Sequence, residues 1–98
     1  MATLNDGEVL QALAGMPGWE TSAASREIVR ELRFGSFRDA VAFVVRLSFE
    51  AEQADHHPDL DIRYNRVRVA LSTHSAGGVT AKDLDLARAI DALAPPGD

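Results

Sequence analysis

The chain has 98 residues, no cysteine, 46% apolar and 26% charged residues, and a formal net charge of −5. That composition describes one soluble domain, 1–98, and excludes disulfides, thiolate nucleophiles and cysteine-bound zinc; no apolar run reaches the ~20 residues that span a bilayer, so no membrane partner is expected. The acidic balance disfavours direct nucleic-acid binding, and the opening MATLNDGEVL lacks the basic-then-apolar pattern of a secretory signal, so a cytoplasmic protein is expected.

The first predicted element is a short helix over 4–14, with Thr3 and Asp6 at capping-box spacing, Val9, Leu10 and Leu13 as its apolar stripe, and Gly15 and Pro17 ending it. Two strands are expected over 18–23 and 26–34, turning at Ala24-Ser25. In the second strand Ile28, Arg30, Leu32 and Phe34 share one face. A long helix over 37–55 follows, with Ser36 as N-cap and Phe37, Ala40, Val41, Val44, Leu47, Ser48 and Ala51 as its inner face. Ala42, Val45 and Phe49 make a second apolar stripe pointing elsewhere. A monomer would leave it in water, so the stripe predicts a homo-oligomer contact.

After Pro58 the alternation of Ile62 and Tyr64, then of Val67, Val69 and Leu71, predicts a hairpin turning at Asn65-Arg66. A loop with Gly77-Gly78 leads to a last helix over 81–93, capped by Thr80 with Asp83 at its third position. Leu84, Ala87, Ile90 and Leu93 form its inner stripe, and Pro95-Pro96-Gly97 ends it. The ββα pattern occurs twice. The expected class is α+β: a ββαββα chain whose four-stranded antiparallel sheet is covered by helices on one face, plus the short N-terminal helix.

All three histidines, His56, His57 and His74, fall in the stretch 52–83, among acids and glycines. Histidine is the side chain whose unperturbed pKa lies nearest neutrality, so such a concentration points to proton chemistry. With Asn65-Arg66 at the turn, Tyr64 pairs with Val67 and, counting outward, His57 falls opposite His74. His56 lies beside them at the end of the long helix, Glu52 one turn earlier, and Asp83 follows a short loop. Singly, each residue has a plainer role: His56 on a helix C-terminus, His57 as a helix stop, His74 at a strand end, Asp83 as a cap, Glu52 and Asp55 as solvated surface. Their convergence in one cleft is what marks a functional site.

The block Glu52-x-x-Asp55-His56-His57-Pro58, Tyr64-Asn65 with Val67, Thr73-His74, Gly77-Gly78, and Thr80-x-x-Asp83 followed by Leu86-Ala87 resembles the pterin-4a-carbinolamine dehydratase family. Gly18-Trp19, Phe34-x-x-Phe37 and Ala51-Glu52 extend the likeness over nearly the whole chain. The resemblance implies a hydro-lyase that removes water from a 4a-hydroxytetrahydropterin to give the quinonoid dihydropterin in tetrahydrobiopterin recycling, with no cofactor and no metal. It implies catalytic His56, His57 and His74, supporting or substrate-binding Glu52, Asp55, Pro58 and Asp83, and Trp19 near the pocket. It also implies dimers joined sheet edge to edge, or tetramers through the long helix. Ser75, Leu60 and Lys82 depart from residues seen in some members. Two other readings stand beside this one: an interaction module or transcriptional coactivator acting through its oligomer face, and a three-histidine metal site, although adjacent His56 and His57 tend to point apart.

Overall fold

The computed structural model describes residues 2–21 and 26–95. Helix α1 spans Asp6–Leu13, strand β1 Glu20–Thr21, β2 Ile28–Arg33, helix α2 Phe37–Ala54, β3 Asp59–Arg63, β4 Arg66–Leu71 and helix α3 Ala81–Leu93. The strands form one antiparallel sheet in the order β1-β2-β4-β3. The α+β class and the ββαββα order are those expected. The turn predicted at Ala24-Ser25 and the terminal Pro96-Gly97 lie outside the described residues.

Side chains alternate across a strand, so Ile28, Arg30 and Leu32 of β2 and Val67, Val69 and Leu71 of β4 share the face that the helices cover, and all six are buried. The covering stripe of α2 is Ala40, Phe43, Leu47 and Ala51. It is rotated from the predicted face: Phe43 is fully buried against Phe34, ring centroids 5.0 Å apart, whereas Phe37 is 54% exposed. Val45 and Phe49, at 52% and 70%, stand in solvent as the second stripe required.

Two local predictions are corrected. The N-cap of α1 is Asn5, whose side chain accepts from Glu8 N–H while Glu8 accepts from Asn5 N–H. Asparagine caps as well as threonine, and at the same three-residue spacing it has a glutamate where Thr3 has the shorter aspartate. The β3–β4 turn is Tyr64-Asn65, because Arg63 pairs with Arg66. Asn65 is held from outside the hairpin: its side-chain amide donates to Phe34 O at 2.8 Å, and its own carbonyl accepts from Phe34 N–H at 2.8 Å. Tyr64 takes φ 52° to close the turn. The slip preserves the faces, but it removes the predicted pairing of His57 with His74. β3 starts only at Asp59, after Pro58, so His57 belongs to no strand.

Candidate active site

The histidines are brought together by the way α2 ends. Asp55 adopts the left-handed conformation, φ 49° and ψ 45°, and the helix closes with Asp55 N–H on Glu52 O and His56 N–H on Ala51 O, both 3.1 Å. Aspartate is among the few non-glycine residues that visit this region readily. The reversal sends His56 inward against α3 and leaves His57 outside. His56 is 8% exposed. The His57 Nε2 lies 2.6 Å from Glu52 Oε1, back over the last turn of α2, and both side chains are largely in solvent.

His56 meets Asp83. Its Nε2 is 2.5 Å from Asp83 Oδ1, and Asp83 has no solvent exposure. The second oxygen, Oδ2, accepts Thr80 N–H at 2.8 Å and the Thr73 hydroxyl at 2.9 Å. Asp83 is thus both the capping-box residue of α3 and the partner of a histidine; the plain and the functional readings of it hold together. A carboxylate only accepts hydrogen bonds, so Nε2 of His56 carries the proton and Nδ1 keeps its lone pair. Nδ1 has no protein partner among the described residues and is not sealed from solvent.

His74 enters from the other wall. Thr73 pairs with Gly78 across a tight loop in which Thr73 O accepts from Ala76 and Gly77 N–H, and Gly77 takes φ 79°. That loop holds His74 at the surface. Asp55, His56, His57, Ser72, Thr73, His74, Ser75 and Lys82 line one cleft of about 280 Å³. A second groove of about 310 Å³ runs between α2 and α3, and His56 and Lys82 border both. Among the described residues no three His, Asp or Glu side chains converge in a way that could hold a metal ion.

Of the residues singled out from sequence, His56, His57, His74 and Asp55 line the cleft, Glu52 and Asp83 each hold one of its imidazoles, and Pro58 follows His57 on the chain. Trp19 is not brought there. Its indole is buried, and Nε1 donates to both carboxylate oxygens of Asp91, at 2.8 and 3.0 Å. Asp91 also pairs with Arg30, and Gly18 leaves room for that guanidinium, since a Cβ there would meet Arg30 Nε at 2.9 Å. Asp91 lies about two turns, roughly 12 Å, along α3 from Asp83. Trp19 therefore closes the far end of the core.

Thr73 and Lys82 line the cleft without having been singled out as site residues. The two-residue alternation does put Thr73 on the inward side with Leu71, which was the available signal. A larger hollow, about 550 Å³, lies on the open face of the sheet. It holds no histidine, and of its three carboxylates, Glu20, Glu27 and Glu31, it is Glu27 that pairs with the one lining cation, Arg68, at 3.6 Å.

A model of the pterin 4 alpha carbinolamine dehydratase family matches residues 2–93. A Chloroflexus aggregans protein, provisionally named a pterin-4-alpha-carbinolamine dehydratase, is 53% identical over 93 residues, covering 95% of this chain and 98% of its own. An Acidobacterium capsulatum protein with the same provisional name is 50% identical over 93 residues, covering 95% and 99%. The crystal structure of a transcriptional coactivator/pterin dehydratase from Brucella melitensis superposes with a TM-score of 0.89 at 38% identity, covering 95% of this chain and 99% of that one. A pterin dehydratase-like protein described as a RuBisCO assembly factor of the alpha-carboxysome shares the fold, with a TM-score of 0.67 at 20% identity over 80% and 90% of the two chains. With its fold, its histidine cleft and a match over almost its full length, this chain belongs to the pterin 4 alpha carbinolamine dehydratase family.

Proposed function

We propose that this protein is a hydro-lyase that eliminates water from a 4a-hydroxytetrahydropterin by histidine acid–base catalysis, and that it serves tetrahydrobiopterin recycling in the cytoplasm. The observation that carries the reading is the joining of three imidazoles in one cleft, one of them tied through Nε2 to a fully buried carboxylate. The reaction breaks the C4a–O bond, removes the proton on N5 and forms a C4a=N5 double bond. The hydroxyl leaves as water once an acid protonates it. There is no net electron transfer, so acid and base groups suffice.

His56 and His74 form the acid–base pair in this reading, and His57 binds the pterin. The Asp83 carboxylate supports His56 as a base, since it orients the ring and stabilises the imidazolium formed when Nδ1 takes a proton. His74, opposite on the cleft wall, is then the acid for the departing hydroxyl. Glu52 orients His57 at 2.6 Å. The cleft opens beside α2, whose exposed Val45 and Phe49 favour a homodimer or homotetramer as the working form. The coactivator half of the Brucella relative's name favours a second reading, in which the same apolar face engages a protein partner.

A stopped-flow assay with chemically generated 4a-hydroxytetrahydropterin tests the first reading. The wild type is expected to accelerate dehydration, and His74→Ala to lose roughly 10²–10⁴ of kcat. His74 is exposed, so its removal leaves the fold unchanged. A wild type that leaves the spontaneous rate untouched overturns the enzyme assignment, and binding of a specific protein partner by that inactive protein would favour the second reading.

A further inference from the structure

Behind Asp83 two buried hydroxyls stand in contact. Thr73 Oγ1 and Thr80 Oγ1 are 2.7 Å apart, and both residues are almost wholly withdrawn from solvent. The direction of every hydrogen bond in this group can be worked out by elimination. Asp83 Oδ2 only accepts, so the Thr73 proton points at it. Thr73 then has only lone pairs to offer Thr80, so the Thr80 proton points at Thr73. Thr80 Oγ1 in turn accepts Lys82 N–H, at 3.3 Å, in the first turn of α3. The result is a one-way chain: Lys82 N–H to Thr80, Thr80 O–H to Thr73, Thr73 O–H to Asp83 Oδ2, with His56 Nε2–H donating to Asp83 Oδ1.

We propose that Thr73 is a positioning residue which, acting through Asp83, holds His56 in the tautomer with its proton on Nε2 and its Nδ1 lone pair facing the cleft. The claim rests on the dehydratase reading only for its consequence in catalysis; the tautomer itself is a property of the free protein. Asp83 Oδ2 has two donors, one a fixed backbone N–H and the other this hydroxyl. Removing the hydroxyl leaves the carboxylate anchored at one point and free to turn, and it strands the Thr80 proton in a buried site. The His56 ring then loses the fixed acceptor that selects its tautomer. Valine has the shape of threonine without the hydroxyl, and serine keeps the hydroxyl without the methyl, so the two substitutions separate the bond from the packing.

Protein labelled with ¹⁵N-histidine reports the tautomer directly, through the two ring-nitrogen shifts and their couplings to the ring protons. The wild type is expected to show His56 as Nε2–H, Thr73→Val to mix in the Nδ1–H form, and Thr73→Ser to restore the wild-type pattern. In the dehydration assay Thr73→Val is expected to lower kcat about tenfold with KM within about twofold, and Thr73→Ser to recover most of the loss. A wild type with His56 as Nδ1–H overturns the proposal without any variant having to fold. So does a Thr73→Val protein with wild-type ring shifts and wild-type kcat. A wild type that shows the Nε2–H tautomer but no dehydratase activity overturns the enzyme assignment and leaves the tautomer claim standing.

Discussion

At the scale of single residues, the most consequential group is one that sequence spacing reads both as a helix cap and as a neighbour of the histidine cluster. Asp83 sits three positions after Thr80, and that spacing predicts a capping box, which is present. Nothing local says that its other oxygen faces His56, because the two residues are 27 apart and come together only when α2 and α3 pack. The capping half of the arrangement predicts what Asp83→Asn does. Thr80 N–H and Thr73 O–H both point at Oδ2, so an asparagine must place its carbonyl oxygen there and its NH₂ towards His56. The amide then donates to Nε2 and drives the ring proton to Nδ1, the nitrogen that the proposed mechanism uses as an acceptor. The fold is expected to survive, with an unfolding midpoint within a few degrees of wild type. The kcat is expected to fall by roughly 10²–10⁴, as when a catalytic histidine is held in the wrong tautomer. Thermal melts beside turnover measurements check both; wild-type turnover in the Asp83→Asn protein would remove Asp83 from the mechanism.

At the scale of elements, what was legible depended on whether the determining contact was local. The twofold period of β2 and β4 and the capped, amphipathic α2 and α3 are written in neighbouring residues, and the ββαββα order follows from them. The hairpin register was not, because the residue that sets it, Asn65, is clamped by Phe34 at the end of β2, 31 positions away. The buried face of α2 likewise differs from the one its own periodicity predicts, around Phe43, which packs on Phe34. The end of α2 lies between these cases: Pro58 signals a stop, but not that Asp55 would stand at φ 49°. That conformation carries a steric cost of about 1–2 kcal/mol for most residues with a Cβ and less for aspartate, while glycine loses about 0.5–1 kcal/mol more chain entropy on folding. The two nearly cancel, so Asp55→Gly should leave the midpoint within about 4 °C of wild type. Activity should fall, since the Asp55 side chain leaves the cleft wall. Calorimetry and turnover on the same preparation check the pair; an Asp55→Gly protein that is much less stable and fully active would contradict each half.

At the scale of the whole molecule, the sheet has an edge, β3, that no other described strand pairs on its outer side. Every residue of β3 is exposed, including Leu60 and Ile62 at 38% each, and Tyr64 beyond them is at 71%. Open edges of this kind invite a further strand. The charges of β3 say which strand fits. Antiparallel pairing of β3 with a second copy of itself, centred on Ile62, sets Asp61 opposite the partner copy's Arg63 on both sides of the two-fold axis. It also sets Leu60 beside Tyr64, and Ile62 on itself. Centring the pair on Asp61 instead would oppose two aspartates, and like charges directly opposite are destabilising. The pairing about Ile62 is thus self-complementary in charge and in apolarity, as a two-fold contact requires. Asp61→Arg should oppose arginine to arginine twice and weaken self-association by roughly tenfold or more; the new arginine also faces Arg68 of β4 within the protomer, so a thermal melt of the monomer is read beside the association. Adding Arg63→Asp should restore the association, since the swapped pair is again complementary. Sedimentation velocity across a concentration series distinguishes the cases. If the double variant dissociates as readily as Asp61→Arg, the β3 pairing about Ile62 is wrong, and the apolar face of α2 is left as the candidate surface for any self-association.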